Sequence, residues 1–282
     1  KPFLILSDFL TRNGIGVLRY DDRGTALSKG DFKTATSADF ATDVESAIAY
    51  LKTRKEINIK NIGLIGHSEG GLIAPMVASK SKDVAFIVLL AGTGIQGDRL
   101  LLLQQKLIGK ASGISEDDLQ KSELTNRQVF DIVNKSSNLE KLNLDLTNYI
   151  KQTLKDNPNA GKPAGMSDDE FVNLRVKQIA NPWMQYFIKY NPAPTLEKVK
   201  CPVLAINGEK DLQVPPKENL EAIKSALSKG GNKKVTTKVL PNLNHLFQEC
   251  KTGSPDEYAT IEQTFSPTAL SEILKWVQMQ TK

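Results

Sequence analysis

Cysteine is scarce. Cys201 and Cys250 are the only two in 282 residues, which is too few for a disulfide framework. Their expected places also argue against pairing: Cys201 at the start of a strand, Cys250 beyond a loop at the far end of the sheet. A five-residue strand spans about 17 Å, whereas a disulfide needs Cα atoms within about 7 Å, so both read as free thiols. Histidine is equally rare, with only His67 and His245. There is no His/Cys cluster for a metal and no glycine loop of phosphate-binding spacing, so neither metal nor organic cofactor is implied. The longest wholly apolar run, Val84 to Ala91, falls far short of the roughly 20 residues a membrane-spanning helix needs. Charge of one sign is missing too: 37 basic residues against 32 acidic is a mild excess without a basic run, which does not make a nucleic-acid footprint. No signal-peptide pattern follows Lys1. Targeting is unreadable, with periplasmic, secreted and cytoplasmic placements open, and the oligomeric state is equally open.

What is present is an α/β pattern. At 40% hydrophobic residues, the chain can bury one large core with an insertion, or two domains. Phe3 to Leu10 has helical period. Ile15 to Tyr20 reads as a buried strand closed by the turn Asp21-Asp22-Arg23-Gly24. Ser37 is placed to cap a helix with Phe40, Val44, Ile48 and Leu51 on one face. Ile62 to Ile65 and Val84 to Leu90 are continuously apolar strands separated by a helix, the mark of a parallel sheet covered on both faces. From Gly97 to about Val199 the strand signal stops. Leu100 to Ile108, a segment capped by Ser115, and one opened by Ser167-x-x-Glu170 are expected helices, with a Pro/Gly-rich loop at 157–165 between the last two. Strands return at Pro202–Asn207 and Lys234–Leu240, with a helix from Pro216 to Gly230-Gly231 between them. A last helix is capped by Ser266-Pro267. Residues 1–96 and 200–282 therefore read as a mostly parallel, doubly wound core, and 97–199 as a helical lid inserted between two strands.

The core is organised around Gly66-His67-Ser68-Glu69-Gly70-Gly71. An apolar strand runs into Gly-x-Ser-x-Gly, and an apolar small-residue helix follows. In that context the serine sits on a strained turn at the carboxyl end of a strand, with its hydroxyl pushed out of the sheet. Gly66 and Gly70 are expected where a side chain would collide with neighbouring backbone. The backbone amide of Glu69, at the helix N-terminus, faces the place an oxyanion would take.

A serine hydroxyl needs a base. His67 is adjacent to Ser68, and neighbouring side chains on a sharp turn point apart, so its expected part is packing beside the turn or shaping a substrate pocket. His245 lies in a loop just beyond the last strand, at the same sheet edge as Ser68. A carboxylate must accept from its other ring nitrogen. Asp211, just after the strand ending near Asn207, is preferred, with Asp98 after the preceding strand as the second candidate and Glu209 facing solvent or packing in its turn.

These segments, in the order serine, acid, histidine, resemble the α/β-hydrolase superfamily, closest to bacterial serine esterase/aminopeptidase-like hydrolases often labelled dienelactone-hydrolase-like. Asp21-Asp22-Arg23-Gly24-Thr25-Ala26-Leu27-Ser28 resembles that family's D-x-R-G-x-G-x-S turn, with Ala26 where glycine is usual. A true dienelactone hydrolase has a cysteine nucleophile, and this chain has serine. The resemblance implies an α/β-hydrolase-type sheet whose first strands, with a His-Gly-type loop giving the second oxyanion amide, lie upstream of Lys1. It implies a small-molecule ester as substrate. A peptidase with the same triad is the alternative, with Asp168, Asp169 and Glu170 as candidates to hold a substrate amine; a non-catalytic binding protein on this fold is the third. Trp183, Tyr186 and Phe187 are candidates for an acyl pocket, although at helical spacing they more often form lid core.

Overall fold

The computed structural model describes residues 2–157 and 161–281. The chain divides into two compact units, an α/β unit (Lys1–Phe32, Ser37–Ile95, Asn191–Lys282) and a helical unit (Lys33–Thr36, Gln96–Tyr190).

In the α/β unit, β1 (Gly63–His67), β2 (Phe86–Leu90), β3 (Val203–Gly208) and β4 (Val235–Leu240) form one sheet in the order β1-β2-β3-β4, and all pairings are parallel. The apolar strands are explained by their place: β2 and β3 are buried at every position, with neighbours on both sides. α3 (Gly70–Ala78) packs on β1 and β2, α2 (Ser37–Lys52) packs on α3, and α10 (Pro216–Lys229) packs on β3 and β4. α11 (Pro267–Thr281) lays Trp276 edge-on to Phe86, ring centres 5.8 Å apart. α1 (Pro2–Arg12) buries Leu6 and Leu10. This is the expected parallel, helix-flanked sheet.

Three local expectations are corrected. Ile15–Tyr20 is not a buried strand but an irregular segment with Val17 38% and Tyr20 46% exposed. Among the described residues no strand pairs with it, nor does one pair with the outer edge of β1, where Ile65 is 37% exposed; an apolar segment becomes a strand only when a ladder is there to take its N–H and C=O groups. Ser37 opens α2, but its hydroxyl donates to Glu69 Oε1 at 2.7 Å. Ser266 is fully buried before Pro267, yet its hydroxyl finds no partner among the described residues.

The helical unit holds α4 (Gly97–Ala111), α5 (Glu116–Lys135), α6 (Leu139–Asp156), α7 (Asp168–Ile179) and α8 (Pro182–Lys189). Ser115 caps α5, and Ser167 with Glu170 forms the expected capping box of α7. Of the loop expected at 157–165, residues 158–160 lie outside the described residues. The unit has its own core, in which Val133, Leu142, Leu146 and Ile188 are fully buried. A Cβ on Gly97 would stand 1.8 Å from the Phe187 carbonyl oxygen, so only glycine lets α4 start against α8. α9 (Ala193–Leu196), which a boundary at residue 199 assigns to the insertion, packs on α10 in the α/β unit.

Candidate active site

Ser68 follows directly on β1 with φ 54°, a left-handed conformation that costs a non-glycine residue roughly 1–2 kcal/mol. Two backbone bonds hold it: its N–H donates to Leu90 O at 2.8 Å, and its carbonyl accepts from Gly71 at 2.9 Å. Glu69 has helical geometry, φ −57° and ψ −37°, and heads α3. The expected glycine roles need one correction. A Cβ on Gly66 would lie 2.0 Å from the Gly70 carbonyl oxygen, but a Cβ on Gly70 would meet nothing within 4 Å. The second obligatory glycine is Gly71, whose Cβ would lie 2.5 Å from Gly92 Cα, because there the helix crosses the backbone that follows β2.

Asp211 sits in the turn after β3 and is 1% exposed. Its Oδ1 accepts from the amides of Gln213 (2.9 Å) and Val214 (2.8 Å), and Asn207 Nδ2 donates to Val214 O at 2.8 Å. With one oxygen so occupied, Oδ2 faces the Nδ1 of His245 at 2.9 Å, and His245 is 4% exposed. A carboxylate oxygen only accepts, so Nδ1 carries the proton and the lone pair is on Nε2, the tautomer a general base requires. Gly208 lets the acid turn and the histidine loop meet: a Cβ there would be 2.2 Å from Leu243 O. The buried Asn244 shapes that loop, taking the amides of Leu246 (2.9 Å) and Gln248 (3.0 Å) on its side-chain oxygen. Glu209 is spent on the turn, accepting from the Asn242 amide at 2.9 Å.

His67 is half-buried, with its Nε2 2.8 Å from the carbonyl oxygen of His245. This bond brings the His245 loop against the residue that precedes Ser68. Burial first, and the neighbouring His245 second, push the His67 pKa down to about 4, against smaller upward effects of the bond and of Asp211. The ring is therefore neutral near pH 7, and its Nε2–H donates.

The other candidates are engaged elsewhere. Asp98 accepts from the Arg99 amide and from Asn134, both in the helical unit. Asp168 pairs with Lys162, Asp169 with Lys151 at 3.1 Å, and Glu170 completes the capping box. Trp183 stacks on Phe187 and Tyr186 on Tyr190, with ring centres 5.2 and 5.5 Å apart, on and just after α8. Cys201 and Cys250 are free thiols. Among the described residues no group of His, Cys, Asp and Glu could hold a metal ion, and no helix is long and apolar enough to cross a membrane.

Sequence reasoning missed the roles of Gly71, Asn207 and Asn244, and gave Ser37 a capping part in place of its bond to Glu69. The doubled glycine after the motif was the only available signal for Gly71; the three polar residues are recognisable only once their burial is known.

The chain is similar over 98% of its length to Esterase EstD of Thermotoga maritima, at 26% identity across 283 residues, and spans 57% of that relative's length. A shorter likeness, 35% identity over 91 residues, joins 32% of the chain to 28% of an acyl transferase of Photobacterium leiognathi. Among solved structures, a Paleococcus ferrophilus monoacylglycerol lipase shares the fold, with TM-score 0.53 and 16% identity, covering 98% of this chain and 88% of that one. A Pyrococcus furiosus esterase also has TM-score 0.53 and 16% identity, with 100% and 75% covered. The family model described as alpha/beta hydrolase fold matches residues 3–252, and with the nucleophile-type turn, the acid turn and the histidine loop at one end of a parallel sheet, the chain belongs to that family.

Proposed function

We propose that this chain carries the machinery of a serine hydrolase acting on carboxylic esters. Ser68 is the nucleophile, His245 the general base and acid, Asp211 its orienting carboxylate, and the Glu69 amide an oxyanion donor. The observation that carries this reading is the buried Asp211–His245 pair at 2.9 Å, whose loop is bonded to the residue next to the strained Ser68. A buried aspartate with one oxygen on two amides and the other on an imidazole fixes both tautomer and ring orientation. The esterase and acyl transferase names of the two relatives support acyl chemistry, ester cleavage in particular.

In this mechanism the Ser68 Oγ attacks the ester carbonyl carbon while His245 Nε2 takes its proton. The carbonyl oxygen becomes an oxyanion at the head of α3, where the Glu69 amide stabilises it. Collapse breaks the bond to the alcohol oxygen, which leaves with the proton from Nε2. Water then repeats the sequence on the acyl-enzyme and releases the acid. The helical unit is inserted in the sequence between β2 and β3.

Ser68→Ala is expected to lower turnover of short p-nitrophenyl esters by at least about 10³-fold with the circular dichroism unchanged, and a fluorophosphonate is expected to label Ser68. Unchanged turnover in the variant removes Ser68 from the mechanism.

A further inference from the structure

The bond between the His67 ring and the His245 main chain is used by nothing in the mechanism above. The ring lies among Phe3, His245 and Phe247, with ring centres 5.6, 4.6 and 6.2 Å away. Its Nε2–H points at a single acceptor, the carbonyl of His245, at 2.8 Å. The other anchors of that loop run elsewhere. Asn244 ties it to itself through Leu246 and Gln248, the Leu243 carbonyl accepts from Lys210, and the Phe247 carbonyl accepts from Ser266. The bond from His67 ties it to β1, the strand that Ser68 directly follows.

We propose that His67 is a positioning residue: its Nε2–H sets the main chain of the catalytic histidine at a fixed distance from the nucleophile. This rests on the reading of Ser68 and His245 as nucleophile and base. One peptide link separates His67 from Ser68, so a single hydrogen bond registers base against nucleophile. Asp211 cannot do this, because it holds the far side of the ring and sets orientation, not the separation from β1. The registration matters because a misplacement of about 1 Å can cost on the order of 10²-fold in rate. A cation at residue 67 would act against the arrangement, since it would oppose the imidazolium that forms on His245 in the transition state. The neutral state that burial imposes on His67 suits the part.

The test compares His67→Phe, which keeps an aromatic ring beside Phe3 and Phe247 but has no donor, with His67→Gln, whose side-chain amide is a donor of similar reach. On p-nitrophenyl butyrate, His67→Phe is expected to lower kcat roughly 10- to 100-fold with KM within about twofold, and His67→Gln to recover most of the loss. A KM change without a kcat change would make His67 a substrate contact and overturn the proposal, as would equal loss in both variants, or no loss in His67→Phe. Ser68→Ala, run in parallel, separates the two readings: full activity there defeats the nucleophile assignment, whatever the His67 variants do. A structural readout is independent of turnover. The chain has two histidines, so ¹⁵N-histidine spectra resolve both rings, and wild-type His67 is expected as the neutral Nε2–H tautomer at pH 7. The opposite tautomer, or a charged ring, would remove the bond on which the inference stands.

Discussion

The environment of His67 makes a pH-dependent contribution to stability whose sign and size follow from its surroundings. Folded, the ring has a pKa of about 4, lowered chiefly by burial; unfolded, it takes the ordinary value near 6.5. As pH falls through 6.5 the unfolded chain binds a proton that the folded chain refuses. Stability is therefore lost between about pH 6.5 and about pH 4, and this residue causes no further loss below. The whole gap corresponds to about 3 kcal/mol, of which about 2 kcal/mol is lost between pH 7 and pH 5. The assay is urea unfolding of the chain and of His67→Gln at both pH values, each in a Trp183→Phe background. The remaining tryptophan, Trp276, is buried against Phe86 in the α/β unit and reports on that unit alone. Carboxylates that titrate near pH 5 are common to both proteins and cancel in the difference. The parent is expected to lose about 2 kcal/mol more than the glutamine variant on going from pH 7 to pH 5. Parallel losses would mean that the folded ring accepts a proton freely, and would refute the account of its burial.

Two further outcomes follow from backbone geometry. Gly66→Ala places a methyl 2.0 Å from a backbone oxygen and is expected to cost about 3 kcal/mol and to abolish phosphonate labelling. Gly70→Ala, open on all sides within 4 Å, is expected to keep labelling, which makes the pair of variants a check on the elbow in denaturation and labelling assays. Ala26 has φ 44°, a left-handed conformation that favours glycine; Ala26→Gly is expected to gain roughly 0.5–1 kcal/mol, read as a rise in Tm of about 2 °C, whereas a lowered Tm would show that the turn needs the methyl.

The sheet was legible because its central strands are almost wholly apolar, a pattern dictated by burial on both faces. That rule carried β2 and β3 and failed for Ile15–Tyr20, which is largely apolar but has no strand beside it among the described residues. Apolar content shows that a segment can be buried; whether it pairs depends on a neighbour that a local reading does not see. At the site, Ser68 and His245 were legible because each follows a strand and so shares the sheet's carboxyl edge. The preference for Asp211 over Asp98 rested on location alone, and the structure places Asp211, not Asp98, on the His245 ring. The buried bonds of Ser37, Asn207 and Asn244 were not legible, since a polar residue looks the same in sequence whether it is buried in a network or solvated.

Local hydrogen bonds explain how three loops hold a strained centre. The αL backbone of Ser68 and the burial of Asp211 and His245 are each unfavourable alone, the first by roughly 1–2 kcal/mol and the others through lost hydration. Each cost is offset locally. Leu90 and Gly71 bond the elbow, Gln213 and Val214 satisfy the free carboxylate oxygen, and Asn244 satisfies the loop amides. Local satisfaction, however, makes each loop rigid in itself without fixing it to the others. The joints between loops are a separate set: the Gly208 contact and the Glu209–Asn242, Lys210–Leu243 and Asp211–His245 bonds between acid turn and histidine loop, and the His67 bond between that loop and β1. A change at one of these joints leaves each loop folded while altering its registration, so it should lower kcat more than stability, whereas a change within a loop, such as Asn244→Ala, should lower both.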